Sequence, residues 1–301
     1  MHPAVKPVAL LAVAFCVSGG LHPRLARAAD DVVDKQKQQA AANLKQAEIT
    51  NAVTVETDDL IVCATLPEEW AKALAAGLQK CYLTARKPLQ YEEKERPWTG
   101  KLTYYFVTEP RQFKTFMRAV VGESPRDSEY HFALRGDAPY VLDLGDASNP
   151  AAQQEAFAEA GARVAVVVLN AKTGSGVVLP DWARAGFGRA VSLRAEGPNS
   201  PRVMAHRTRM RSAVLGGAGR PAAKLSDVWD GSSRDGPVLA TSLMDFLAFG
   251  PKAADFPKVV SALRPGDNNT PPALPMALET ATGMKWMDLE LAWRKWVQSG
   301  K

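Results

Sequence analysis

Four histidines and three cysteines are spread over 301 residues, and this supply limits the chemistry open to the chain. A catalytic zinc needs about three His, Cys or carboxylate ligands brought to one place. His131 and His206 stand 75 residues apart, and neither has a third ligand at a recognisable spacing. Gly216-Gly217-Ala218-Gly219-Arg220 is rich in glycine, yet no Lys-Ser/Thr pair ends it and no strand leads into it, so it reads as a linker and not a phosphate loop. Gly174-Ser175-Gly176 lacks the strand-to-helix setting of a nucleophile elbow and reads as a turn. Carboxylate pairs for glycoside hydrolysis are defined by separation in space and are not readable here. No cofactor motif is present, and no cofactor is expected.

Charge gives a second candidate. Between Arg184 and Arg220 lie eight arginines and one acid, Glu196. On a helix starting at 201, Val203, His206, Met210 and Val214 would face inward while Arg202, Arg207, Arg209 and Arg211 spread over the exposed side. Such a face would dock an acidic protein or polymer. Alternatively it is a solvated face whose arginines pair with acids of neighbouring segments. Aromatic residues are not interleaved, so no nucleic-acid partner is expected.

The elements that must position these residues can be read from periodicity. Val53 and Val55 alternate with polar residues and Leu60-Ile61-Val62 is a short apolar run, which predicts two strands or one bent strand. Thr65 stands three residues before Glu68 in a capping box, ahead of an apolar stripe of Trp70, Leu74, Leu78, Cys81 and Tyr82 that predicts a helix to Arg86. Leu102–Val107 has strand composition, and Pro110 opens a helix carrying Phe113, Phe116, Met117 and Val120. Val141–Leu144 is a further strand. Asn149-Pro150 starts a helix, with the Asn side chain as N-cap. From there the pattern is helical, over about 150–169, 180–195, 201–215, 237–249, 253–263, 272–281 and 285–298, although Val164–Leu169 has strand-like propensity. Tyr130 and His131 fall in an expected exposed loop. Cys63 ends a strand and Cys81 lies about 22 Å along the following helix, at 1.5 Å per residue. A disulfide needs Cα atoms within about 7 Å, so two separate buried thiols are expected.

At the amino terminus, Lys6 precedes an apolar run from Val8 to Val17, and Ala26-Arg27-Ala28 has the small-x-small form of a cleavage site. This reads as a secretory signal peptide over 1–28, too short to span a bilayer, and places the protein in the periplasm or outside the cell. Without Lys6, Arg24 and Arg27 the net charge falls from +5 to +2. The basic pI of 9.1 is therefore weak support for a polyanionic partner. Residues 29–49, rich in Gln, Lys and Ala, read as a flexible helix or linker with too few large apolar side chains to bury a face. The rest divides into an α/β subdomain over 50–150 and a helical subdomain over 151–301. No later segment is long and apolar enough to be a transmembrane span.

Leu179-Pro180-Asp181-Trp182-Ala183-Arg184-Ala185-Gly186-Phe187-Gly188-Arg189-Ala190 resembles the second signature, Leu-Pro-x-Trp-Leu-x-Glu-Gly-Leu-Ala-Glu-Tyr, of the peptidase MA-like (gluzincin) metallopeptidases of secreted bacterial proteins. The Leu102–Val107 strand with Glu109-Pro110-Arg111-Gln112-Phe113, and the ending Leu289-Glu290-Leu291-Ala292-Trp293-Arg294-Lys295-Trp296, are similar to other parts of that family. The resemblance covers about 50–298 and implies a zincin-like α+β fold, with a small mixed sheet and its helices before 150 and mainly helices after. Such enzymes place H-E-x-x-H on the preceding helix, where two His four apart bind zinc and the Glu activates its water. The matching stretch reads Ala160-Gly161-Ala162-Arg163-Val164, and the position of the third ligand, a Glu, is Ala185. Against the family pattern, Ala160, Gly161, Val164 and Ala185 are thus degenerate site positions, and no catalytic residue and no metal are expected. The resemblance implies an exported pseudopeptidase that binds a protein or polymer in the substrate cleft or on the arginine face. An active hydrolase with its site elsewhere and a structural envelope protein remain open as alternatives.

Overall fold

The computed structural model describes residues 22–300, apart from 125–128, 135, 137, 175–176, 218, 220, 231–232, 267–269 and 271. The expected signal sequence falls largely outside the described residues, as do parts of the Gly174–Gly176 and Gly216–Arg220 segments. The chain is α+β. Its strands, all in the amino-terminal half, are β1 (Val53–Glu56), β2 (Leu60–Ala64), β3 (Leu102–Val107), β4 (Tyr130–Ala133) and β5 (Tyr140–Leu144). They form one sheet in the order β1-β2-β3-β5-β4. The central strands β2, β3 and β5 run parallel, while β1 and β4 are antiparallel edges.

Parallel strands buried on both faces read as continuous apolar runs, and β2 and β3 are buried at every residue. Side chains alternate between two cores. Leu60, Val62, Tyr104, Phe106 and Val141 point to one side, and Ile61, Cys63, Tyr105, Val107 and Leu142 to the other. On the first side lie α2 (Glu68–Arg86) and the long α4 (Pro150–Thr173). On the second lie α3 (Pro110–Phe116), continued by a π turn over Met117–Val121, and α1 (His22–Gln46). Cys63 and Cys81 belong to opposite cores and are free, buried thiols, as their spacing predicts.

Helix α1 departs from expectation. The segment expected to be a flexible helix or linker is a helix with a buried face, on which lie Gln36, Ala40 and Asn43. Val33 and Leu44 pack against the second core, and hydrogen bonds complete the docking: Gln36 Nε2 donates to Thr99 O at 3.1 Å, Lys101 N to Gln36 Oε1 at 2.8 Å, and Asn43 Nδ2 to Tyr105 Oη at 3.0 Å. The start of α2 also differs. Pro67 occupies the N-cap with no side-chain cap bond, and Thr65 is turned to the sheet, where its Oγ1 accepts from Thr108 N at 3.0 Å. Tyr130 and His131 lie on edge strand β4, half-buried, and not in a loop.

The helical half begins with α4, which packs between α2 and the helix that follows it. Asn149 Oδ1 accepts from Ala151 N and Ala152 N at 3.1 and 3.0 Å, with Pro150 in the first turn. The valine-rich run Val164–Leu169 is helical because this stretch of α4 is buried at every residue, a setting in which tertiary burial overrides local propensity. Then follow α5 (Asp181–Glu196), α6 (Pro201–Leu215), α7 (Gly236–Phe249), α8 (Phe256–Ala262), α9 (Leu274–Thr282) and α10 (Trp286–Ser299). A Cβ on Gly188 would lie 2.6 Å from Ala162 O, so α5 approaches α4 at backbone contact distance. On α10, Leu289 and Trp293 are buried, and Trp293 Nε1 donates to Ser242 Oγ at 2.9 Å. Trp182, Trp229 and Trp286 form a chain of rings with successive centroids 5.7 Å apart. Among the described residues no helix is long and apolar enough to cross a membrane.

Candidate functional site

At about 100° per residue, α4 presents two opposed arcs. Ala160, Gly161 and Val164 fall on one, which is fully buried against the sheet and α2. Tyr104 Oη lies 3.4 Å from Ala160 O, and a Cβ on Gly161 would meet Cys81 Sγ at 2.6 Å. Glu159, Ala162, Arg163 and Val166 fall on the other arc. With Tyr130 of β4 and Asp181, Arg184, Ala185 and Arg189 of α5, they line a groove with a cavity of about 430 Å³. The four positions singled out in the sequence are not brought together on one surface. Only Ala185 opens onto the groove, and the other three are core packing residues.

Beneath the groove is a buried polar network. Asp143 of β5 is fully buried on the α4 side of the sheet. Tyr104 Oη donates to its Oδ2 at 2.5 Å, and the Arg163 guanidinium pairs with its Oδ1. Arg163 also lies over the Tyr130 ring, 5.0 Å from its centroid, and 3.9 Å from Glu129. Burial pushes the Tyr104 phenol well above its ordinary pKa, against the pull of Arg163, so it stays a hydrogen-bond donor. On the groove wall Arg189 Nε reaches Glu159 at 3.3 Å, and Arg184 pairs with Asp181 one turn before it.

This set does not fit a zinc ion. Among the described residues no group of three or more His, Cys, Asp or Glu side chains is gathered to hold a metal. The Arg163 guanidinium supplies the positive charge that Asp143 requires, and a cation placed beside it would be repelled.

The four arginines expected on one exposed face of α6 do not share one. Arg202 and Arg209 lie about 20° apart around the helix and Arg207 and Arg211 about 40° apart, on nearly opposite sides. Arg202 is committed to Glu196 and to Ser192 Oγ, the latter at 3.1 Å. Arg211 donates to Gln298 O at 3.0 Å and closes the end of α10. Arg209 is exposed, and Arg207 lines a cavity of about 170 Å³ beside His206. Val203, Met210 and Val214 face inward as the periodicity predicts. Burial, reinforced by Arg202, Arg209 and Arg189 against the opposing pull of Asp245, lowers the His206 pKa to about 4, so it is neutral at physiological pH. His131, far from it in sequence, also has its pKa lowered by burial and joins no ligand cluster among the described residues.

No family model and no curated protein matches the chain.

Proposed function

We propose that the protein is an exported, non-catalytic binding module on a peptidase-like scaffold, and that the groove between α4 and α5 is its binding surface. The observation that carries this reading is Arg163. It lines the groove and is anchored by the buried Asp143, itself hydrogen-bonded to Tyr104. An arginine so held is permanently charged and can neither ligate a metal nor act as a general base. Ala185, at the place of the third ligand, leaves the groove open without contributing a functional group. The likeness of Leu179–Ala190 to the peptidase signature and the amino-terminal cleavage pattern support the scaffold and the export.

Elemental analysis of purified, unchelated protein, paired with a casein hydrolysis assay, tests the reading. The expected result is substoichiometric zinc and no proteolysis. One zinc per chain with chelator-sensitive cleavage would overturn it in favour of an active hydrolase.

A further inference from the structure

His206 on α6 is an ionisable group that the groove does not use, and its surroundings hold no place for a charge. Its Nε2 is buried without a hydrogen-bond partner among the described residues. A neutral imidazole can leave that nitrogen as a bare acceptor, whereas protonation puts an N–H there and calls for an acceptor. Asp245 of α7, which lines the same cavity, is already occupied. Arg194 Nε donates to its Oδ1 at 2.7 Å, while Arg194 Nη2 and Trp296 Nε1 donate to its Oδ2 at 2.7 and 3.0 Å. The other charged groups around the ring are Arg202, Arg207 and Arg209 of α6 and Arg189 and Arg194 of α5. Glu196, at the end of α5, is taken by Arg202. A cation on His206 is therefore desolvated, repelled by arginines and left without an acceptor, and all three effects act against the protonated form.

Helix α6 is also built to move. It joins its neighbours at Gly197, with φ of 90°, and at Gly216 and Gly217, with φ of 72° and 126°. These are backbone conformations that glycine enters freely. Between the joints, the buried residues of α6 are Val203, Met210, Ala213 and Val214. A cavity of about 170 Å³ beside His206 leaves the contact of α6 with α5 and α7 short of the close packing usual in interiors.

We infer that α6 is an acid-released helix: protonation of His206 frees it from α5 and α7, and it swings on its glycine joints while the sheet and α4 stay folded. Burial, ahead of the neighbouring arginines, lowers the His206 pKa from 6.5 to about 4 while the helix is docked. Release returns the ring to water and to its ordinary value. Docking is thus fully favoured above about pH 6.5 and loses its advantage as the pH falls toward 4. The ratio of docked to released helix should fall by on the order of a hundredfold between pH 7 and pH 4.

Hydrogen exchange of the full chain, read by mass spectrometry from pH 7 to pH 4 and scaled at each pH to the denatured chain, tests this together with an NMR titration of the His206 ring proton. Loss of that signal in His206→Gln identifies it. Residues 201–215 are expected to lose protection by at least about tenfold, in step with the His206 titration, while β2, β3 and α4 keep theirs. His206→Gln, which cannot take up the proton, should keep α6 protected at pH 4. Arg209→Gln removes an exposed positive charge near the ring and should move both the titration and the release to higher pH, a shift that a purely packing role for His206 would not produce. It also decides the matter should His206→Gln fail to fold. Titration of His206 at the ordinary histidine value, release of α6 at the same pH in His206→Gln, loss of protection across the whole chain at once, or an unmoved midpoint in Arg209→Gln would each overturn the inference.

Discussion

The two arcs of α4 belong to one helix and obey different rules. Toward the sheet and α2, Ala160, Gly161 and Val164 are small because space is short, as the 2.6 Å approach of a Gly161 Cβ to Cys81 Sγ makes plain. Toward α5 and β4, Glu159 and Arg163 are long and charged because a groove and a buried carboxylate await them. Smallness on one helix can therefore mark close packing, as at Ala160, or an open groove wall, as at Ala162. Only the direction in which a residue points tells them apart.

The sharpest way to break this contrast is to remove the charge on the groove arc. Arg163→Met leaves Asp143 buried without its partner, a change expected to cost about 3–5 kcal/mol in urea unfolding. Pairing it with Asp143→Leu should recover most of that, because the uncompensated charge goes too. A double variant as unstable as the single would mean that Arg163 matters for its packing and not its charge.

On the packed arc, Gly161→Val should cost about 1–3 kcal/mol through overpacking against Cys81. Ala185→Val in the groove should stay within about 0.5 kcal/mol, as exposed substitutions do. Equal thermal shifts for the two would erase the distinction between the arcs.

Dryness gives a third measure. Burial, with a smaller contribution from Glu196, raises the Cys81 pKa from 9.0 to about 12. The thiolate is the reactive form, so native Cys81 should be alkylated by iodoacetamide at pH 8.5 about a thousandfold more slowly than in the denatured chain. Rapid labelling of the folded protein would place water against this arc. The smallest effect belongs to Arg189→Gln. Its contact with Glu159 is long and the arginine side chain is 40% exposed, so stability should change by no more than about 0.5 kcal/mol in a melting experiment.

Much of this architecture is legible in the residues. Leu102–Val107 and Pro201–Leu215 form the predicted strand and helix with the predicted limits, because the first is uniformly apolar and the second runs from a proline start to a glycine end. Edge strand β4 is not legible, since Tyr130–Ala133 is half-buried along its whole length and has no buried face to generate alternation. The docking of α1 is hidden because its buried side chains include Gln36 and Asn43, which composition assigns to solvent and hydrogen bonds assign to the interior. For the groove, the proline ahead of Asp181 makes the start of α5 legible, but nothing in the residues sets the rotation of α4. That helix is apolar on most of its circumference, so its pattern does not tell which arc faces the sheet. The division of the α6 arginines was available from helical geometry alone, since seven residues nearly complete two turns and five do not complete one and a half.

The chain of indole rings from Trp182 through Trp229 to Trp286 has an optical consequence. At 5.7 Å between centroids, excitation absorbed by one ring is shared with the next, so the three emit as a coupled unit. Trp182 adjoins Asp181, which lines the groove, and Trp286 opens α10. Emission from this unit therefore reports on the groove wall and on the carboxy-terminal helix at once, giving a label-free signal for anything that enters between α4 and α5.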